Sequence, residues 1–453
     1  MNNDSTIDIE AAVAALLKGP LDPHKAFISG GATFGEVYAM AAGLRRSLDE
    51  LERAPSFLCL ASGKKEHMAA ALLCSLAGGP PLLLPYALST GVLSALQRST
   101  SYQLAITDDE GVRSLPAGVR AIRPQPVDAI RLEAQGSLQS ELLKIYTGGS
   151  TGTPQLWSKT GANIFAEAFF QARRHAVNAG DTIVATVSPY HIYGLLFSVA
   201  LPLVSQATVV GTTPSFPAEI EQSCSDAQAS ILVSVPAHFR TLGNRKLGLR
   251  LAFSSAGMLA EEDGRHFSDS NTISVIEVFG STETGGIATR DRWRGQLHFS
   301  PLATVEWKIR DRRLAVKSPY ISPDLDIDDQ GYFLTSDRVE EQPEATFALK
   351  GRIDNITKIG GKRVDLEEIR QLMAEEKGVT DCVVLPLDEA GSRENRICAL
   401  LQGTGIDIRS IQKNLAQSLQ PYALPRGLKV VERLPIKNNG KYDWDAIRRL
   451  MAQ

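Results

Sequence analysis

Short, continuously apolar runs recur between stretches of helical periodicity through the first three quarters of the chain. They include Phe57–Leu60, Leu104–Thr107, Thr182–Val187, Ala207–Val210, Ile231–Val235, Leu251–Ser254 and Ser274–Val278. Runs this short with no polar alternation suit strands buried on both faces. Segments such as Asn163–Ala179 between them read as helices. Strand alternating with helix predicts an α/β fold: a large N-terminal domain of parallel-rich sheets layered with helices. From about Trp307 to Thr335 the strands become shorter and turn-rich, with a tight turn at Gly331-Tyr332, which predicts a small distorted β-region. Beyond Gly351-Arg352 the pattern changes again. Lys362–Val364, Cys382–Leu387 and Ile397–Gln402 read as strands, and Leu366–Glu376 and Ile408–Leu419 as helices, a small α+β domain. The expected division is residues 1–351 and 352–453.

Composition narrows the partners. A net charge of −3 over 453 residues, without an arm or stripe of Lys and Arg, argues against nucleic acid. A long uncharged region runs from Met68 to Gln97, but Gly78-Gly79-Pro80-Pro81 interrupts it. A buried helix, a turn and a short strand Leu82–Leu84 are expected there rather than a membrane span. Met1–Pro20 is polar and acidic at its start and lacks a basic signal region, so it reads as a short amphipathic helix of a cytoplasmic protein. The 5 cysteines are far apart, form no C-x-x-C pair and mostly sit in apolar runs, so they are expected to be reduced core residues.

The most informative segment is Thr147-Gly148-Gly149-Ser150-Thr151-Gly152-Thr153-Pro154-Gln155, which follows the apolar strand Leu142–Tyr146. Glycines let successive backbone N–H groups turn towards one anion, and hydroxyls add further donors. The segment reads as a phosphate cradle. It is not a Walker A loop, because no Gly-Lys-Ser/Thr closes it.

This loop resembles the signature of the adenylate-forming superfamily (acyl- and aryl-CoA synthetases, peptide-synthetase adenylation domains and luciferase), whose usual form is Thr-Ser-Gly-Ser/Thr-Thr-Gly-x-Pro-Lys. Gln155 stands where that pattern ends in Lys, and Lys159 lies close by as a partial substitute. Four more segments match in order. Phe279-Gly280-Ser281-Thr282-Glu283 is similar to the aromatic-Gly-x-Thr-Glu motif. The resemblance implies that Glu283 holds Mg²⁺ on the ATP phosphates, Thr282 touches the AMP phosphate, and Phe279 with Gly280 borders adenine. Thr335-Ser336-Asp337 resembles Thr-Gly-Asp, with Ser336 for the usual Gly, and implies that Asp337 accepts from the ribose hydroxyls. The stretch from Gly351 to Ile369 resembles the hinge segment. There Arg352 would contact ribose or phosphate, Asp354 would be the hinge, and Gly360-Gly361 would face the thiol donor. Pro435–Lys441 resembles the terminal Pro-x-x-x-x-Gly-Lys motif, implying that Lys441 enters the site during adenylation.

The implied activity is attack of a carboxylate on the α-phosphorus of ATP, with pyrophosphate leaving. Transfer to a pantetheine thiol would follow, on CoA or on an acyl carrier protein. Thr151 and the loop amides of Thr147, Gly148, Gly149, Ser150 and Gly152 would stabilise the phosphorane together with Lys441. Ser188-Pro189-Tyr190-His191-Ile192-Tyr193-Gly194 resembles the His-Ile-Tyr-Gly stretch of aryl- and acyl-CoA ligases. His191 would either pack against the acyl or aryl group or close the pocket behind the carboxylate; Tyr193, Gly194, Ala256, Gly257 and Ser281 would line it, with His238 of similar standing. Amino-acid-activating relatives place an Asp near here and this chain has none, which points to an aromatic or short-to-medium-chain acid. Two alternatives stay open: loading of a carrier protein, and a nucleotide-binding regulatory protein without turnover.

Overall fold

The computed structural model describes residues 7–453 apart from 110, 134, 148–154, 354–355, 360–361, 389–394, 438–441 and 453. The chain divides into two compact units, Met1–Glu306 with Lys317–Asp328, and Trp307–Val316 with Asp329–Gln453. The architecture is α/β with parallel-rich sheets.

The first unit holds two sheets. One comprises β1 (Leu58–Ala61), β2 (Leu82–Leu84), β3 (Leu104–Thr107), β4 (Arg120–Ile122), β5 (Glu141–Thr147) and β6 (Gln155–Thr160), in the order β4-β3-β1-β2-β5-β6. Its first five neighbours run parallel and β6 returns antiparallel to β5. The other comprises β7 (Thr182–Ala185), β8 (Thr208–Val209), β9 (Ile231–Ser234), β10 (Leu251–Ser254), β11 (Val275–Ser281), β12 (Gly285–Asp291) and β13 (Ser300–Pro301), in the order β13-β12-β11-β10-β9-β7-β8. Strands β8 to β11 are parallel, and β12 turns back antiparallel on β11. Each parallel run therefore ends in a hairpin, and each hairpin carries a nucleotide motif predicted from sequence.

The continuous apolar runs have a physical cause in the layering. Ile183, Ile231, Val233 and Phe253 join a core that also takes in Leu58, Leu60 and Leu143 of the first sheet, through helices Lys65–Leu76 and Gly161–Arg174. Val184, Leu232 and Ala252, on the other face, pack with Phe239 and Phe267 of helices Pro236–Leu242 and Glu261–Asn271. Both faces are buried, so no polar alternation survives. Helix Lys65–Leu76, the turn after it and β2 occupy the interrupted apolar stretch. Among the described residues no helix is long and apolar enough to cross a membrane. The cysteines lie buried in separate parts of the interior.

The second unit contains β14 (Glu306–Arg310), β15 (Arg313–Lys317), β16 (Phe333–Gln342) and β17 (Thr346–Arg352) in sequential order. Hairpin β18 (Ile356–Ile359) with β19 (Lys362–Asp365) follows, then a sheet of β20 (Val379–Asp388), β21 (Asn395–Gly403) and β22 (Gly427–Val431). Helices Leu366–Ala374 and Ile408–Ser418 bury Ile369, Met373, Ile411 and Leu415 against that sheet. Asp365 caps the first of them, its carboxylate accepting from Glu367 N–H.

Candidate active site

The crevice beyond the carboxyl ends of parallel strands is where open α/β sheets bind ligands, and the predicted pocket residues of the first unit gather there. After β7, His191 N–H donates to Ser188 O at 3.1 Å and its carbonyl accepts from Leu195 N–H at 2.8 Å, so the half-buried imidazole opens the helix Ile192–Leu195. Helix and turn approach so closely that a Cβ on Gly194 would stand 2.1 Å from Ser188 O. Tyr190 pins the turn to the first sheet, donating to Ser62 O at 2.7 Å. Tyr193 donates to Ser234 O at the end of β9 (3.2 Å) and packs its ring 5.1 Å from Phe197. Next to it, His238 Nδ1 lies 2.8 Å from Thr186 Oγ1, which itself lies 2.8 Å from Ser234 Oγ. After β10, Ala256 takes a left-handed φ of 69°, a conformation that costs energy for a residue with a Cβ and recurs at functional sites. Gly257 beside it reaches Pro236 of the β9 loop.

The β11–β12 hairpin carries Phe279–Glu283 on its rising strand and turn. A Cβ on Gly280 would lie 2.2 Å from Gly285 O, so glycine is required by backbone approach alone. Ser281 has its hydroxyl 2.9 Å from Thr284 Oγ1 and its N–H bonded to the same atom, which closes the turn around Thr282 and Glu283. Phe279 packs against Phe299 with ring centroids 5.6 Å apart and planes tilted by 51°, and the Arg290 guanidinium lies 4.4 Å from the Phe299 centroid. Arg290 is held by a buried bidentate pair with Glu277, 2.9 and 2.8 Å, across the two strands. The hairpin is thus stiffened from within by residues that the sequence motif does not contain.

Lys159 is buried beside the β11–β12 turn. It is 1% exposed, and its Nζ donates to Glu283 O at 3.1 Å and Tyr320 O at 2.7 Å. Burial draws its ammonium below the ordinary lysine range, while Glu167, Glu283 and Asp324 oppose that fall. Burial likewise raises the Glu167 carboxyl, against the pull of Lys159 and of the Gly286 N–H. These two carbonyls take two of the three donors of the Lys159 ammonium.

Thr147 and Gln155 are paired across β5 and β6, so the glycine segment connects a hairpin, with Gln155 exposed at its exit. Gly148, Gly149, Ser150, Thr151 and Gly152 lie outside the described residues, as do Asp354, Gly360, Gly361 and Lys441. Within the second unit, Asp337 and Arg352 face each other across β16 and β17, with Arg352 Nη1 3.4 Å from Asp337 Oδ1. The pair is long and half-exposed on the arginine side, so separating it for a ligand costs little. The antiparallel bridge Ile436–Tyr442 joins the chain on either side of the segment that includes Lys441.

The donor set suits a metal–nucleotide. Glu283 is half-buried at a turn, and among the described residues its carboxylate accepts no hydrogen bond; a hard divalent cation takes such oxygens. Glu167, Tyr320, Glu277 and Arg290 went unnoticed in the sequence. One signal existed: Glu167 is the lone charge within Ile164–Phe170, an otherwise apolar helical run.

The sequence pattern of the AMP-binding enzyme family matches residues 22–319, and the chain belongs to that family, the adenylate-forming enzymes. Its relatives include the 4-coumarate–CoA ligase of Halorhodospira halophila, 26% identical over 69% of this chain and 78% of its own length. The anthranilate–CoA ligase of Pseudomonas aeruginosa is 25% identical over 67% of this chain and 66% of its own. A p-hydroxybenzoic acid–AMP ligase of Mycobacterium tuberculosis is 26% identical over 67% and 48%. Among solved structures, ATP-bound MatB from Rhodopseudomonas palustris shares the fold with a TM-score of 0.82 at 18% identity, covering 97% of this chain and 98% of that one.

Proposed function

We propose that this chain joins a carboxylic acid to ATP as an acyl-adenylate and then passes the acyl group to the thiol of CoA. The observation that carries the reading is that the His191–Gly194 turn, bonded to Ser234 at the end of β9, and the Phe279–Glu283 turn both follow strands of one parallel run ordered β11-β10-β9-β7. Membership of the AMP-binding family supports it. A carboxylate oxygen attacks the α-phosphorus, the bond from that phosphorus to the β-phosphate oxygen breaks, and pyrophosphate leaves. The thiol sulfur then attacks the acyl carbon, AMP departs, and the thiol proton passes to solvent.

Two anions must meet in the first step, so positioning and positive charge dominate its barrier. Mg²⁺ held at Glu283 would neutralise charge that develops on the phosphates. Thr282 and the glycine-loop amides would donate to phosphate oxygens, and Asp337 would accept from the ribose hydroxyls beside Arg352. Residues 352–453 would form the mobile domain, turning about Asp354 so that Lys441 serves adenylation and Gly360-Gly361 serves thiol attack. An aromatic or short-to-medium-chain acid fits a pocket bordered by His191, Tyr193, Gly194, Ala256, Gly257 and Ser281 in a cytoplasmic enzyme. The names of the 4-coumarate and anthranilate ligases support the aromatic choice. A carrier-protein acceptor is the second reading, favoured by the relative named as an acid–AMP ligase.

The test is pyrophosphate release from Mg·ATP across aromatic, cinnamic-type, medium-chain and amino acids, with and without CoA. Release driven by one acid class and lost in Lys441→Ala is expected. Stimulation by CoA selects the CoA ligase, and its absence the carrier-protein reading. ATP binding with no acid-dependent release would overturn adenylation and leave a nucleotide-binding regulator.

A further inference from the structure

We infer that Lys159 is a positioning residue for the metal site: its ammonium locks the return strand of the glycine-loop hairpin to the turn that presents Glu283. This deepens the reading of Glu283 as the metal ligand and rests on it. Lys159 is the penultimate residue of β6, which emerges from the glycine segment, and it bonds to Glu283 itself across 124 residues of sequence. Glu283 O accepts a second hydrogen bond from Ser322 N–H at 2.7 Å. Both lone pairs of that carbonyl are then used, so the peptide of the candidate ligand has no rotational freedom left.

The same corner of chain grips the turn from its far side. Thr160 caps the helix Gly161–Arg174 in a reciprocal pair with Asn163, and Asn163 Nδ2 donates to Pro319 O at 2.7 Å. Glu167, one turn further along, accepts from Gly286 N–H at 3.0 Å. Its carboxylate fills the room that side chains at Gly285 and Gly286 would need, with oxygens 2.8 and 2.6 Å from the Cβ positions. Ser158 N–H donates to Asp324 at 2.6 Å, fixing the Tyr320–Asp324 segment that supplies the other acceptor of Lys159. Residues 158–167 thus hold the Glu283 turn at both of its ends.

An apolar side chain would fill the same space at lower cost, since burying an ammonium is expensive even when it is paired. What the ammonium adds is direction. Its donors aim at two carbonyls, whereas a methyl group would leave Glu283 O and Tyr320 O short of partners and the turn free to tilt.

The test uses the full chain, with Mn²⁺ as the probe. Mn²⁺ is titrated in the presence of ATP and followed by the electron paramagnetic resonance signal of the free ion, while metal-free ATP binding is measured by calorimetry in chelator. In Lys159→Met the half-saturating Mn²⁺ is expected to rise at least about tenfold, as for other residues that orient a metal ligand, with metal-free ATP binding unchanged. Unchanged Mn²⁺ binding in folded Lys159→Met overturns the inference. So does a parallel loss of metal-free ATP binding, which would mean that Lys159 serves the nucleotide or the fold. Should Lys159→Met not fold, Glu167→Gln carries the test, because its amide oxygen still accepts from Gly286 while the charge opposite Lys159 is gone. A metal-specific loss is expected there too, and wild-type Mn²⁺ binding in that variant overturns the inference. Wild-type protein that binds ATP but no Mn²⁺ would instead refute Glu283 as the ligand.

Discussion

Gly194 shows how a single missing Cβ sets the shape of the turn proposed to border the acid. Ser188 O sits 2.1 Å from the place a methyl would take, and backbone cannot yield as a flexible side chain can. Gly194→Ala must therefore push the Ser188–Tyr190 turn away from the helix start and carry His191 with it. Overpacking of this kind costs about 1–3 kcal/mol, read as a lower melting temperature. The more telling outcome is kinetic: the KM for the acid should rise well before the KM for ATP changes, since the nucleotide motifs lie on another hairpin. Equal effects on both would show that the two turns move as one body. Gly280 has the same geometry against Gly285 O, 2.2 Å, and its alanine variant should show the opposite pattern, with ATP affected first.

At the scale of elements, the contrast lies between strands buried on both faces and strands at the edges of the parallel runs. Leu104–Thr107 and Leu251–Ser254 were readable to the residue, because only apolar side chains fit between two helical layers. Strands β6 and β12 were not. Gln155–Thr160 and Gly285–Asp291 carry Ser, Lys, Arg and Asp, and those groups find partners outside their own strand: Lys144 for Ser158, Glu283 and Tyr320 for Lys159, Glu277 for Arg290. The partners of Lys159 lie more than a hundred residues away, and no local pattern encodes them. The site divides in the same manner. Motif order singled out Phe279, Thr282 and Glu283 as the proposed nucleotide and metal contacts, whereas the side chains that stiffen their hairpin needed the structure. The corner between β6 and its helix can be tested as an element. Thr160→Ala removes the acceptor for Asn163 N–H at 3.1 Å and half of the reciprocal cap. It should cost about 1 kcal/mol, seen as a lower urea midpoint, and should raise the metal requirement slightly because Lys159 directly precedes the cap. A stability loss with no change in metal requirement would separate the cap from the metal turn.

For the molecule as a whole, acid sensitivity has an identifiable source away from the reaction. Half-buried His175 ends the helix Gly161–Arg174 with its ring perpendicular to that of the core residue Phe253, centroids 4.9 Å apart. Burial, then the nearby Arg174, Arg250 and Arg294 cations, push its pKa down to about 3, and its buried Nε2 has no partner among the described residues. The folded protein therefore takes up this proton only near pH 3, whereas an unfolded chain takes it up near about 6.5. Between those values the unfolded state binds more protons, so stability rises with pH and is lost as pH falls through that window. The loss approaches about 1.4 kcal/mol per pH unit from this one group. His175→Phe keeps an aromatic ring against Phe253 and removes the titration, so its unfolding midpoint should fall less steeply between pH 6.5 and 4.5 than that of the natural protein, while the two should run parallel above pH 7.5. Parallel curves throughout would place the acid lability elsewhere. Because His175 lies far along the helix from Lys159 and Glu167, the variant should keep its wild-type metal requirement at neutral pH, which separates the stability of the core from the geometry of the metal turn.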